Sequence, residues 1–105
     1  MVGIDLCKKT RFKNIEKHTL EKILHKKEFE LLASEQDKDH FIATRWAIKE
    51  ALYKCNNEFF EFSKICIIKQ TCGRYEFLDN SLKKFVISTS SEDDYIIAIV
   101  MQEGK

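Results

Sequence analysis

Proline is absent from this chain and glycine appears only three times in 105 residues. Little therefore interrupts its helices or marks a linker, and no low-complexity segment or internal repeat is present. The expectation is a single domain over residues 1–105, able to bury roughly 60–70% of the surface that its unfolded chain exposes. No apolar run approaches the roughly 18 residues of a membrane span, and no apolar stretch precedes a cleavage-like site. The four cysteines, Cys7, Cys55, Cys66 and Cys72, form no C-x-x-C and stand at no zinc-ligand spacing with histidine. They read as reduced thiols in a cytoplasmic protein. An excess of one charge is missing too: 18 Lys and Arg against 17 Asp and Glu leave +1, which argues against a general nucleic-acid binder.

What charge there is lies unevenly. Residues 1–27 carry eight Lys/Arg against three Asp/Glu, and residues 76–105 carry three against six. Such a basic end can steer a negatively charged partner or ligand.

The longest stretch that is free of Gly and Pro and both apolar and charged covers residues 41–57 and reads as a central helix. At about 100° per residue, Phe41, Ile48, Leu52 and Cys55 share one stripe, and Ile42, Trp46 and Tyr53 a second. The charges fall in two narrow lanes between them. Glu50 and Lys54 stack at i, i+4 above Ala43 and Ala47, and Arg45 and Lys49 share the other gap. Small residues beneath Glu50 and Lys54 leave room for something to approach a site on a rigid element. On spacing alone the same pair also suits a surface helix, where it would contribute about 0.2–0.5 kcal/mol.

Residues 1–7 read as a strand with Val2, Ile4 and Leu6 on one face and Gly3, Asp5 and Cys7 on the other. Aspartate is disfavoured in strands, so Asp5 either faces water at an edge or is held for a ligand. Residues 8–27 are basic and helical, with Thr19 as a candidate N-cap and His18 and His25 on the polar side. A further turn over residues 28–33 and a polar connection precede the central helix, for which Asp37 or Asp39 is the candidate N-cap. Beyond Asn57, β-branched and aromatic runs at 64–71, 74–78, 84–89 and 94–102 are bounded by Gly73, Asp79-Asn80 and residues 91–94. Phe59, Phe60 and Phe62 are placed between the helix end and these strands. The order of elements predicts an α+β fold, an antiparallel sheet packed against a long central helix.

Four groups of residues, Gly3-Ile4-Asp5-Leu6, Arg11-Phe12, the run from Arg45 through Lys49-Glu50 to Lys54, and Ile87-Ser88-Thr89-Ser90, occur in the order and approximate spacing of one family. The chain resembles the bacterial holo-acyl-carrier-protein synthases, the small phosphopantetheinyl transferases. The resemblance implies a homotrimer with sites between subunits. It also implies transfer of the phosphopantetheine arm of coenzyme A to a serine of acyl carrier protein, with release of adenosine 3′,5′-bisphosphate. By resemblance Asp5 and Glu50 are the magnesium carboxylates, and Lys54 neutralises or protonates the leaving phosphate. Arg45, Lys49, Gly73 and Ser90 fall at coenzyme-binding positions, and Arg11 at the contact with the acidic carrier protein. The chain departs from the pattern in four places. Ser91 replaces the histidine of S-x-S-H, Gly73-Arg74-Tyr75 stands for G-K-P, Trp46 replaces a phenylalanine, and F-T-x-x-E is lacking, with Glu35 as its substitute.

Two other classes fit parts of the sequence. A non-catalytic α+β module docking an acidic partner through the basic end accounts for the charge asymmetry but not for Asp5. A small RNA-binding domain needs exposed strand aromatics beside basic residues, for which Arg74, Tyr75 and Phe77 are the only hint.

Overall fold

The computed structural model describes residues 1–104. Its frame is an 18-residue helix, α3 (Lys38–Cys55), laid on a three-stranded antiparallel sheet of order β1-β5-β4. The strands are β1 (Val2–Lys8), β4 (Phe85–Glu92) and β5 (Tyr95–Gln102), so the first strand pairs with the last. Between β1 and α3 come a 3-10 turn (Lys9–Phe12) and two short helices, α1 (Lys17–Ile23) and α2 (Lys26–Leu32). This is the expected α+β class. The strand-forming runs do not all join one sheet, however. The first two shrink to β2 (Ile67–Lys69) and β3 (Tyr75–Phe77), a separate two-stranded hairpin turned by Gly73 at φ +92°.

Asp37 caps α3 as expected, its carboxylate accepting the His40 N–H at 3.1 Å. Thr19 caps nothing. The preceding helix is broken at Leu24 and His25, and the His25 imidazole caps α2 by accepting the Lys27 N–H at 3.0 Å. Phe59 and Phe62 pack edge-on against Phe85 and Trp46, but Phe60 lies outside the core at 66% exposure. The core itself joins Ile48 and Leu52 of α3 to Ile96, Ala98 and Val100 of β5 and to Ile67 and Phe77 of the hairpin.

The approach of α3 to β1 sets the geometry of everything that follows. A Cβ on Gly3 would sit 1.8 Å from the Ala51 carbonyl oxygen and 2.7 Å from the Cys55 nitrogen. Only glycine allows backbone to meet backbone this closely. Cys7, two pleat repeats further on, donates its thiol to the Ala43 carbonyl at 3.4 Å. The alanines of α3 are therefore covered by strand β1, a correction to the reading of the space above them as open. Burial, reinforced by the Asp5 charge, pushes the Cys7 thiol up to about 11 and keeps it protonated and inert.

Candidate active site

Because β1 alternates, the face that carries Gly3 against α3 also carries Asp5, and this puts a carboxylate against a helix. Asp5 Oδ1 accepts from Lys54 Nζ at 3.0 Å. The Asp5 side chain is 12% exposed and Lys54 51%, so the pair lies at the mouth of a crevice with the acid inside. Asp5 Oδ2 is buried without a hydrogen-bond partner, which is costly unless something else occupies that lone pair. Glu50, one turn before Lys54, completes the group. Its carboxyl is raised above the usual range by burial first and by the neighbouring Asp5 charge second, against the lowering effects of Lys54 and Arg11. Asp5, Glu50 and Lys54 are thus brought together as expected. Asp5 faces the helix and not water.

Arg11 is exposed, its guanidinium 4.9 Å from the centre of the Trp46 ring, so the residue that replaces phenylalanine on α3 positions this cation. Its charge reaches the site, where it lowers Glu50.

The other two α3 cations are placed differently. Lys49 is fully buried, and its three donors go to Glu28 and to the carbonyls of Ile23 at 2.8 Å and Phe62 at 2.9 Å. Lys49 has no donor left for a coenzyme, which corrects its assignment as a coenzyme ligand. Arg45 is 3% exposed, stacked on Phe41 at 3.8 Å and on Tyr75 at 5.4 Å. It acts on its surroundings through its charge, from behind the Tyr75 ring.

Glu28 is the residue that the sequence reading missed. Its carboxylate, with no exposure, accepts from Lys49, from the Ile67 N–H at 2.9 Å and from the His25 N–H at 2.9 Å, with Arg45 Nε 3.8 Å away. It ties α2, α3 and β2 together. With His25 it forms a capping box, so Leu24-His25-Lys26-Lys27-Glu28 has the spacing of F-T-x-x-E with an imidazole as the cap. That spacing was the available signal. Glu35, exposed in the loop before α3, is not the substitute.

Gly73 and Ser90 lie elsewhere, Gly73 between the hairpin and β4 and Ser90 beside the N-terminal half of α3. Gly73 lines an open cavity of about 550 Å³ with Arg74, Tyr75 and the β4 residues Val86 to Thr89. Ser90 lines a smaller one of about 190 Å³ with His40, Thr44 and Ser91. The chain therefore offers an acid and lysine cluster at one end of α3, a small polar cavity at the other, and a larger one between the hairpin and β4.

A long helix against an antiparallel sheet, with a strand aspartate facing a helix Glu-x-x-x-Lys, is the arrangement of one class of transferase. The profile of the 4′-phosphopantetheinyl transferase superfamily matches residues 1–100, and the chain belongs to that family. Within it, the chain is 49% identical to a holo-[acyl-carrier-protein] synthase of Mycoplasma mobile over 100% of this chain and 91% of the relative. It is 45% identical to that of Mycoplasmopsis pulmonis over 99% and 91%. The fold superposes on a holo-(acyl-carrier-protein) synthase of Bacillus anthracis in complex with CoA (3′,5′-ADP), with TM-score 0.82, 22% identity and coverage of 99% and 96%. For the Helicobacter pylori synthase in complex with coenzyme A the values are 0.77, 25%, 98% and 100%.

Proposed function

We propose that this chain is a magnesium-dependent holo-[acyl-carrier-protein] synthase, moving 4′-phosphopantetheine from coenzyme A to a serine hydroxyl of apo-acyl carrier protein. The observation that carries the reading is the half-satisfied Asp5, with one oxygen on Lys54 and the other buried and unpartnered beside Glu50. Family membership and the synthase relatives support it. The donor set fits magnesium, which takes oxygen ligands and is commonly held by one or two carboxylates plus substrate phosphates. Among the described residues no group of three or more His, Cys, Asp or Glu could enclose a metal by itself, so Asp5 and Glu50 would hold it and leave positions for the substrate. When bound, the ion would supply positive charge to the pyrophosphate as it becomes the leaving group.

The chain's own residues divide the remaining work. Lys54, half-exposed at the mouth, presents a cation to the departing phosphate. One of the two carboxylates accepts the serine proton. Arg11, held by Trp46 within the basic N-terminal region, faces the acidic carrier protein, and the encounter is steered by charge. The outer face of the sheet supports assembly into a homotrimer: Val2, Ile4 and Leu6 are 58%, 51% and 59% exposed in the single chain. Four free cysteines support a cytoplasmic setting.

The test is the mass of apo-acyl carrier protein incubated with this chain. A gain equal to the phosphopantetheine group that needs both coenzyme A and magnesium is expected. No gain, with carriers from several sources, would sink the reading.

A further inference from the structure

Arg11, the side chain that faces the carrier protein, sits on a 3-10 turn of only four residues (Lys9–Phe12). The turn is held from two sides. At its far end Phe12 is buried beside Trp46, ring centres 5.9 Å apart, and the Arg11 guanidinium lies 4.9 Å from the same Trp46 ring. Its near end is fastened to the turn between β4 and β5. There the Lys9 N–H donates to the Asp94 carbonyl at 2.8 Å, and the Thr10 hydroxyl donates to Asp94 Oδ2 at 2.8 Å. We propose that Asp94 sets which acidic partner this chain accepts: through Thr10 it holds Arg11 in position, and its own charge opposes a partner that is acidic throughout. The inference rests on the carrier-protein role given to Arg11 above.

The two bonds to Asp94 differ in what they require. The Lys9 bond continues the β1 to β5 ladder past its last pair, Lys8 with Tyr95, and any residue at 94 supplies that carbonyl. The Thr10 bond needs a side-chain acceptor, and it joins positions 84 apart in sequence at the surface. An exposed bond of this kind adds little to folding, because water replaces either partner. It does fix the residue that follows: with Lys9 and Thr10 tied and Phe12 in the core, the backbone of Arg11 is defined on both sides. Thr10, Arg11 and Tyr95 border one open crevice of about 390 Å³, so the arginine and the start of β5 face the same space.

The same carboxylate brings a negative charge into a basic region. Lys8, Lys9, Arg11 and Lys13 surround Thr10 in sequence, while Glu92 and Asp93, both exposed, precede Asp94 on its turn. A partner that docks its acids on Arg11 therefore meets an acidic turn at the edge of the contact. Juxtaposed like charges reject wrong partners more than they weaken the right one, provided that the right one keeps its acids clear of them. A carrier with a confined acidic patch is favoured over a uniformly acidic one.

Michaelis constants for apo-acyl carrier protein and for coenzyme A, measured on the same preparations, test the two effects separately. Thr10→Val keeps the shape and leaves the Asp94 charge but removes the donor, and it is expected to raise the carrier KM about 3-fold or more. Thr10→Ser keeps the hydroxyl and stays near wild type. Asp94→Asn keeps an oxygen for Thr10 and removes the charge, so it is expected to lower the carrier KM about 2-fold at low salt, a gain that fades at high salt. In an Asp94→Ala background Thr10→Val has no further effect, because its acceptor is gone. Throughout, kcat, the coenzyme A KM and the melting temperature stay at wild-type values, which a purely structural bond would not give. A carrier KM unmoved by Thr10→Val, or raised by Asp94→Asn, overturns the inference alone. An Arg11→Ala enzyme with the wild-type carrier KM removes Arg11 from the docking surface and the inference with it. A wild type that transfers nothing from coenzyme A overturns the reading beneath both.

Discussion

Among the described residues Glu28 is the buried anion that faces two buried cations, Arg45 and Lys49. Burial works to strip the proton from Lys49 while the Glu28 carboxylate holds it there. Breaking such a pair leaves an uncompensated buried charge and costs about 3–5 kcal/mol, whereas replacing the partners by apolar groups of similar size is often neutral. Glu28→Gln should therefore lower the urea-unfolding free energy by that amount. Glu28→Leu combined with Lys49→Met should recover most of it, less the lost cap at His25. A Glu28→Gln protein as stable as wild type would show that the pair is neutral as folded. Glu50 makes the complementary prediction about pH. Its carboxyl is raised by burial first and by Asp5 second, so ionising it opposes folding, and its stabilising contribution is present below the ordinary pKa of 4.5 and lost as pH rises through the raised value. In Asp5→Asn, which removes one raising charge and frees Lys54, carbon-13 NMR should find Glu50 titrating lower. A Glu50 titration unmoved by Asp5→Asn would mean that the two carboxylates do not share a site.

Among the elements, β1 and α3 decide whether there is a site at all. Gly3→Ala places a methyl 1.8 Å from the Ala51 oxygen, backbone against backbone, and neither side can yield by a rotamer change. The expected cost is about 3 kcal/mol or more. Transfer activity should fall further than the loss of folded protein explains, since any lift of β1 separates Asp5 from Glu50. Thermal melting and kcat measured on the same preparation check this, and a Gly3→Ala enzyme with normal kcat would show that β1 does not set the distance. The alternation of β1 and the span of α3 were legible, because periods of 2 and 3.6 residues are local. Which face of β1 meets the helix was not. Val2, Ile4 and Leu6 look like the core face, yet the inner face is Gly3, Asp5 and Cys7, because close helix packing selects small residues over apolar ones. The partner of Lys49 was illegible for a related reason. Nothing local to α3 indicates an acid 21 residues earlier, and an imidazole cap concealed the capping box that marks Glu28.

At the scale of the whole chain the sheet has two apolar faces and only one helix to cover them. The inner face meets α3. On the outer face, strand register sets Ile4 opposite Ile99 and Leu6 opposite Ile97, with Val2 and Val86 flanking Met101, and Ser88 and Ser90 along the β4 edge. Contiguous apolar surface of this kind on a folded monomer marks an interaction site. Its continuity with Ser90 places the edge of that surface beside the His40 cavity. Ile99 is central, paired with both neighbours, so a lysine there meets the proposed interface while the inner face and the Asp5 to Lys54 pair stay untouched. Light scattering should report three copies for wild type and one for Ile99→Lys, with the variant retaining its circular dichroism. Transfer should be lost with assembly if the sites lie between subunits. A folded Ile99→Lys that remains trimeric would place the interface elsewhere, and a monomeric variant with full activity would show that each chain carries a complete site.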